Sequence, residues 1–123
     1  MDQNSRILIV DDMQTMRRLL KSALNDLGYT NVTDADGGKA ALALLESGDY
    51  SLLITDWNMP DMGGIDLLRA VRADARLKDL PVLMVTAEAK REQILEAAEA
   101  GVNGYVVKPF QPAQLKDKLD RVG

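Results

Sequence analysis

Short apolar runs alternate with helical stripes along this whole chain, and that alternation limits its folds more than any other feature. Ile7-Leu8-Ile9-Val10, the run from Ser51 to Asp56, and Val82-Leu83-Met84-Val85 behind Pro81 are short and evenly apolar, as strands buried on both faces should be. Asn31 to Ala35 reads as a shorter, more polar strand near a sheet edge, and Gly104-Tyr105-Val106-Val107 as the last strand. Between them Met16, Leu19, Leu20, Ala23, Leu24 and Leu27 recur at helical spacing before Gly28. Lys39 to Ser47 is helical, with Gly48 as its C-terminal cap. Ile65, Leu67, Leu68 and Val71 mark a third helix, and Glu92 to Ala100 a fourth that Gly101 stops. Leu115, Leu119 and Val122 form the stripe of a fifth behind Pro112, which suits a first helical position. Five β–α units with short connections predict an α/β doubly wound parallel sheet with helices on both faces. Residues 1–123 are expected to form a single domain, a size at which one core suffices.

Such a sheet brings all strand C-termini to one edge, where open α/β folds do their chemistry. Asp11-Asp12, Asp56, Thr86-Ala87 and Lys108-Pro109 follow four of the strands directly and meet there. Three carboxylates at one edge repel each other unless a cation or a task holds them. Mg²⁺, which takes few protein oxygens and keeps several waters, suits Asp11, Asp12 and Asp56, with the Asn58 backbone carbonyl as a further ligand. A strand-end aspartate can also be a nucleophile toward phosphorus. Transfer of a phosphoryl group then needs mainly positioning and charge neutralisation, which Mg²⁺, Lys108, the Thr86 hydroxyl and a backbone N–H such as that of Ala87 can supply. Taken singly, each residue has an ordinary use. Asp11-Asp12 could cap the first helix, Asp56 could start a turn, and Thr86 could cap a helix. Lys108 could be a surface lysine and Tyr105 a strand aromatic.

Composition narrows the chemistry. The chain has no His and no Cys, which removes His-based acid–base catalysis, His metal ligands, disulfides and thiol chemistry. A net charge of −4 and a pI near 4.8 argue against a nucleic-acid partner, which calls for a basic face. No apolar run approaches the roughly 18 residues of a membrane span. The polar start Met1-Asp2-Gln3-Asn4-Ser5 has no signal core, so a cytoplasmic location and no membrane partner are expected.

On Val10-Asp11-Asp12, Thr15 to Arg18, Thr55 to Pro60 with Gly64, Arg72-Ala73-Asp74, Leu80 to Lys90, Ala100-Gly101 and Gly104 to Phe110, the chain resembles the receiver domain of two-component response regulators. Within that family it is most similar to the single-domain chemotaxis regulators. The resemblance implies a flavodoxin-like five-stranded sheet of order 2-1-3-4-5 with five helices. It implies Asp56 as phospho-acceptor, Mg²⁺ held by Asp12, Asp56 and the Asn58 carbonyl, and Asp11 acting mainly through water. Lys108 would pair with the phosphoryl group and precede a cis proline bond. Thr86 would move toward the phosphoryl oxygen, and Tyr105 would swing from exposed to buried. Asn58 and Glu88 would tune hydrolysis of the phosphoryl group. Lys90, Arg91, Tyr105 and Lys118 would lie on the partner face, although the three cations read equally as solvated helix charges.

The partners implied are a histidine kinase as phosphodonor, a flagellar motor switch protein or other output partner, and a phosphatase. A monomer is expected, acting as a signalling switch rather than an enzyme on other substrates. Met13, Gln14 and the last helix ending at Arg121-Val122-Gly123 depart from the chemotaxis pattern, the last by trimming the output face. With no DNA-binding or enzymatic output segment in the sequence, a phosphate sink or phosphorelay intermediate is the second reading. A haloacid-dehalogenase-type phosphatase is more distant, because its general acid would stand where this chain has Asn58. A flavin-binding module is disfavoured because Asp11-Asp12-Met13-Gln14 would repel a flavin phosphate.

Overall fold

The computed structural model describes residues 1–122. Strands β1 (Ile7–Val10), β2 (Val32–Ala35), β3 (Leu52–Thr55), β4 (Val82–Thr86) and β5 (Gly104–Val107) alternate with helices α1 (Gln14–Asp26), α2 (Gly38–Ser47), α3 (Gly64–Ala73), α4 (Arg91–Glu99) and α5 (Pro112–Val122). All pairings are parallel, and the sheet order is β2-β1-β3-β4-β5. That is the expected order, and the elements lie within a residue or two of the expected spans.

Successive side chains of each strand point to opposite faces, so the continuously apolar strands feed two cores. Leu8, Val10, Leu53 and Val82 pack with Ala41 and Leu45 of α2, Leu67, Leu68 and Val71 of α3 and Ala97 of α4. Ile7, Ile9, Leu52, Ile54, Leu83 and Val85 pack with Leu20 and Leu24 of α1 and Leu115 and Leu119 of α5. The β2 strand, at an edge, is only partly buried, as its polar content anticipated.

Gly28 and Gly101 end α1 and α4 with φ of +99° and +97°, a region that glycine enters without a Cβ clash. Gly48 caps α2 as expected, in a different backbone geometry from those two. Its φ is −133°, so the chain leaves this helix in extended geometry that requires no glycine. Arg72, at the end of α3, binds the α4–β5 connection. Its guanidinium donates to the carbonyls of Gly101 (2.8 Å), Lys78 (3.0 Å) and Leu80 (2.6 Å) and to Asn103 Oδ1 (2.9 Å). Among the described residues no helix is long and apolar enough to cross a membrane.

Candidate functional site

The register sets the site. Val10 stands beside Thr55, Thr55 beside Met84, and Thr86 beside Val107. The residues that follow these positions therefore emerge side by side at the C-terminal edge. One carboxylate oxygen from each of Asp11, Asp12 and Asp56 lies within 4.8 Å of the others. Asp11 and Asp56 are buried, whereas Asp12 is exposed.

Lys108 is the counter-charge. Its Nζ donates to Asp11 Oδ2 at 2.7 Å and to Asp56 Oδ2 at 3.0 Å, and its side chain is only 11% exposed. Burial alone would lower the ammonium pKa, but its hydrogen bonds to Asp11 and Asp56 and their charges outweigh it, and the pKa rises above 10.5. The Lys108–Pro109 bond is cis, as expected.

The other contacts exclude several ordinary uses. The N-cap of α1 is Met13, with no side-chain cap bond; Asp11 Oδ1 instead accepts the Met13 N–H at 2.9 Å. Asp56 Oδ1 accepts the Trp57 N–H at 2.6 Å, and its Oδ2 faces Lys108. Thr86 is fully buried and accepts the Glu88 N–H at 3.3 Å, while the N-cap of α4 is Lys90, so Thr86 does not cap that helix. The next turn is held close to Asp56. A Cβ on Gly64 would sit 1.9 Å from the Asp56 carbonyl oxygen, and the Gly64 N–H donates to Trp57 O at 2.8 Å.

Glu88 is a junction. Its carboxylate accepts from Asn58 Nδ2, its N–H goes to Thr86, and its carbonyl accepts the Tyr105 hydroxyl at 2.6 Å. Tyr105 is half-buried rather than fully out or fully in. Burial, then the nearby charges of Glu88 and Asp56, raise its phenol above 10.0. Beyond it, Lys90 and Arg91 are exposed at the start of α4. Lys118 is half-buried, its Cδ lying 3.4 Å from where a Gly104 Cβ would be. All four members of the expected partner face thus fall on α4, β5 and α5, though the lysines and Arg91 form no ion pair among the described residues.

Sequence reasoning named the edge residues but not the links between them. The Asn58–Glu88 bond joins positions 30 apart in the chain and leaves no periodic trace. Arg17, which reaches Asp11 and Asp34, was marked only as part of the Thr15 to Arg18 stretch, with no sign of either contact.

The donor set fits a hard divalent cation: three carboxylates converge beside a cleft of about 400 Å³ lined by Asp12, Trp57, Asn58 and Asp66. Asp11, Asp12 and Asp56 are the residues that could hold it.

Comparison with known proteins agrees with this edge. Residues 7–120 match the response regulator receiver domain family. The chain is 67% identical over 117 residues to the chemotaxis protein CheY of Pseudomonas aeruginosa, covering 95% of this chain and 94% of that protein. It is 62% identical over 122 residues to the chemotaxis protein CheY-3 of Vibrio cholerae, covering 99% and 94%. Among solved structures, the chemotaxis response regulator CheY4 of Vibrio cholerae superposes with a TM-score of 0.89 at 37% identity, covering 98% of this chain and 99% of that one. The response regulator TrrA of Thermotoga maritima, solved in complex with Mg²⁺ and BeF, superposes with a TM-score of 0.86 at 34% identity, covering 97% and 99%. With the family match spanning nearly the whole chain and the acid edge in place, the chain belongs to the response regulator receiver domain family.

Proposed function

We propose that this chain is a single-domain chemotaxis switch that takes a phosphoryl group onto Asp56. The observation that carries the reading is the buried Asp56 carboxylate, held by Lys108 beside two further acids at the sheet edge. A phospho-His on a partner kinase is the donor, since the chain itself has no His. Mg²⁺, held by Asp11, Asp12, Asp56 and the Asn58 carbonyl, supplies charge neutralisation of the transferring group when bound.

The rest falls to the chain's own residues. One Asp56 oxygen attacks phosphorus in line, and the donor imidazole leaves. Asp56 is aimed by the Trp57 N–H and by Lys108. Lys108 then turns its donors to the phosphoryl oxygens, and the Thr86 hydroxyl exchanges its bond with the Glu88 N–H for one to the same group. Drawing Thr86 inward shifts the Glu88 segment that holds Tyr105, so the face of α4, β5 and α5 changes shape and charge presentation. Asn58 and Glu88 screen the attacking water and set how long the phosphoryl group lasts.

The output partner we assign is a flagellar motor switch protein, supported by the identity to chemotaxis regulators. The test has two arms. Acetyl phosphate with Mg²⁺ should add one phosphoryl group by intact mass and change Trp57 fluorescence, and Asp56→Asn should abolish the adduct. Beryllofluoride should raise affinity for a motor-switch peptide. An unchanged mass refutes the chemistry, and an unchanged affinity refutes the motor assignment in favour of a phosphate sink or relay.

A further inference from the structure

Arg17 sits outside the acid edge yet is tied to it. From α1 its Nη1 donates to the Asp11 carbonyl at 2.7 Å, and its Nε donates to Asp34 Oδ2 at 2.8 Å. The side chain is 15% exposed. Asp34 stands in register with Ile9 across the β1–β2 pair. The Asp11 N–H donates to Ala35 O at 3.2 Å. Asp11 is thus anchored at every polar atom. Its amide is held directly by β2, its carbonyl through Arg17 by β2, one side-chain oxygen by Met13 N–H and the other by Lys108. The exposed Asp12 follows immediately and makes none of these contacts, so its direction depends on where the Asp11 peptide is held.

We infer that Arg17, braced by Asp34, is a positioning residue that orients the Asp11-Asp12 peptide for Mg²⁺. This deepens the proposed reading of the acid edge as a Mg²⁺ site and rests on it. The sign of the effect on Mg²⁺ affinity separates orientation from charge alone. Arg17 is a cation bonded to the Asp11 carbonyl, next to the acid edge, so removing it should tighten Mg²⁺ binding if only its charge matters. If it orients the ligands, removing it should weaken binding. Lysine keeps the charge but presents a single point donor on a different stem, and cannot span the Asp11 carbonyl and Asp34 together.

The experiment is Mg²⁺ titration followed by Trp57 fluorescence, since Trp57 and Asp12 line the same cleft. Arg17→Lys and Arg17→Ala are compared with the wild-type chain, and amide exchange at Asp12 and Met13 is followed without metal. Both variants should bind Mg²⁺ about tenfold more weakly, the cost usual for losing a partner that orients a metal ligand. Exchange at the two amides should quicken. Binding as tight as wild type, or tighter, overturns the inference. If Arg17→Ala does not fold, Arg17→Lys decides alone. Should the wild-type chain show no Mg²⁺ response, the site reading falls, and the metal-free exchange still decides whether Arg17 holds the peptide.

Discussion

Lys108 lies between two carboxylates, 2.7 Å from Asp11 and 3.0 Å from Asp56, so it occupies the charge position that a metal or a phosphoryl group would contest. Lys108→Met removes charged hydrogen bonds and leaves the acids facing one another. Without metal the variant should lose about 2 kcal/mol of stability by urea denaturation. Mg²⁺ should then bind more tightly than to wild type, because its competitor is gone. The pH dependence follows from the raised lysine pKa. The folded chain favours the protonated form, so the contribution is complete below 10.5 and fades only as pH climbs through the higher folded value. The gap between wild type and variant should therefore be flat around neutrality and close only in strong alkali. A gap that closes near neutral pH would show that some other group carries it. At Tyr105, Tyr105→Phe deletes the bond to the Glu88 carbonyl and should cost about 1 kcal/mol. In the wild type, the Tyr105 phenol should titrate above 10.0 by ultraviolet absorbance.

At the scale of elements, the site depends on how tightly the turn from β3 into α3 is drawn. Gly64 is required by space rather than by its φ, because an added Cβ would lie 1.9 Å from the Asp56 carbonyl oxygen. Gly64→Ala should cost about 3 kcal/mol, from the strain of an overfilled site, and blunt the Trp57 response to Mg²⁺. A thermal melt matching wild type would mean the turn can shift freely and that its closeness is incidental. This turn also touches α2, whose N-cap Gly37 offers no side chain. The Asp61 carboxylate lies over Gly37 and accepts the Met62 N–H at 2.7 Å. Burial would raise its pKa, but backbone donors at Met62, Lys39 and Gly38 bring it down overall. The elements themselves were legible in the sequence. Apolar runs and 3.6-residue stripes report directly on burial, and parallel connections leave few arrangements. The contacts of Arg17, Arg72 and the Asn58–Glu88 pair were not. Long side chains can reach in many directions, and only the folded register decides which carbonyl or carboxylate comes within range. The place of Gly48 as the cap of α2 was legible, but glycine after a helix does not reveal which sign of φ it adopts.

For the whole molecule, the acid edge is a load on stability that its ligand can lift. Three carboxylate oxygens within 4.8 Å of one another oppose folding whenever only Lys108 neutralises them. Asp12 makes the cleanest probe because it is exposed and outside the Lys108 pair. Asp12→Asn should relieve repulsion and raise metal-free stability by about 0.5 kcal/mol, the scale of exposed charge pairs. Wild type should gain from Mg²⁺ by linkage, about 2.7 kcal/mol when the ion is at a hundredfold its dissociation constant. Asp12→Asn should lose most of that gain. Urea midpoints with chelator and with Mg²⁺ give all four values, and the two cores packed on one continuous sheet favour a single cooperative transition in which to read them. Asp12 would have no part in holding the metal if both chains rose equally with Mg²⁺. A rise confined to wild type, with the variant the more stable chain in chelator, would mean that the same three acids proposed to serve phosphoryl transfer also cost the resting fold part of its stability.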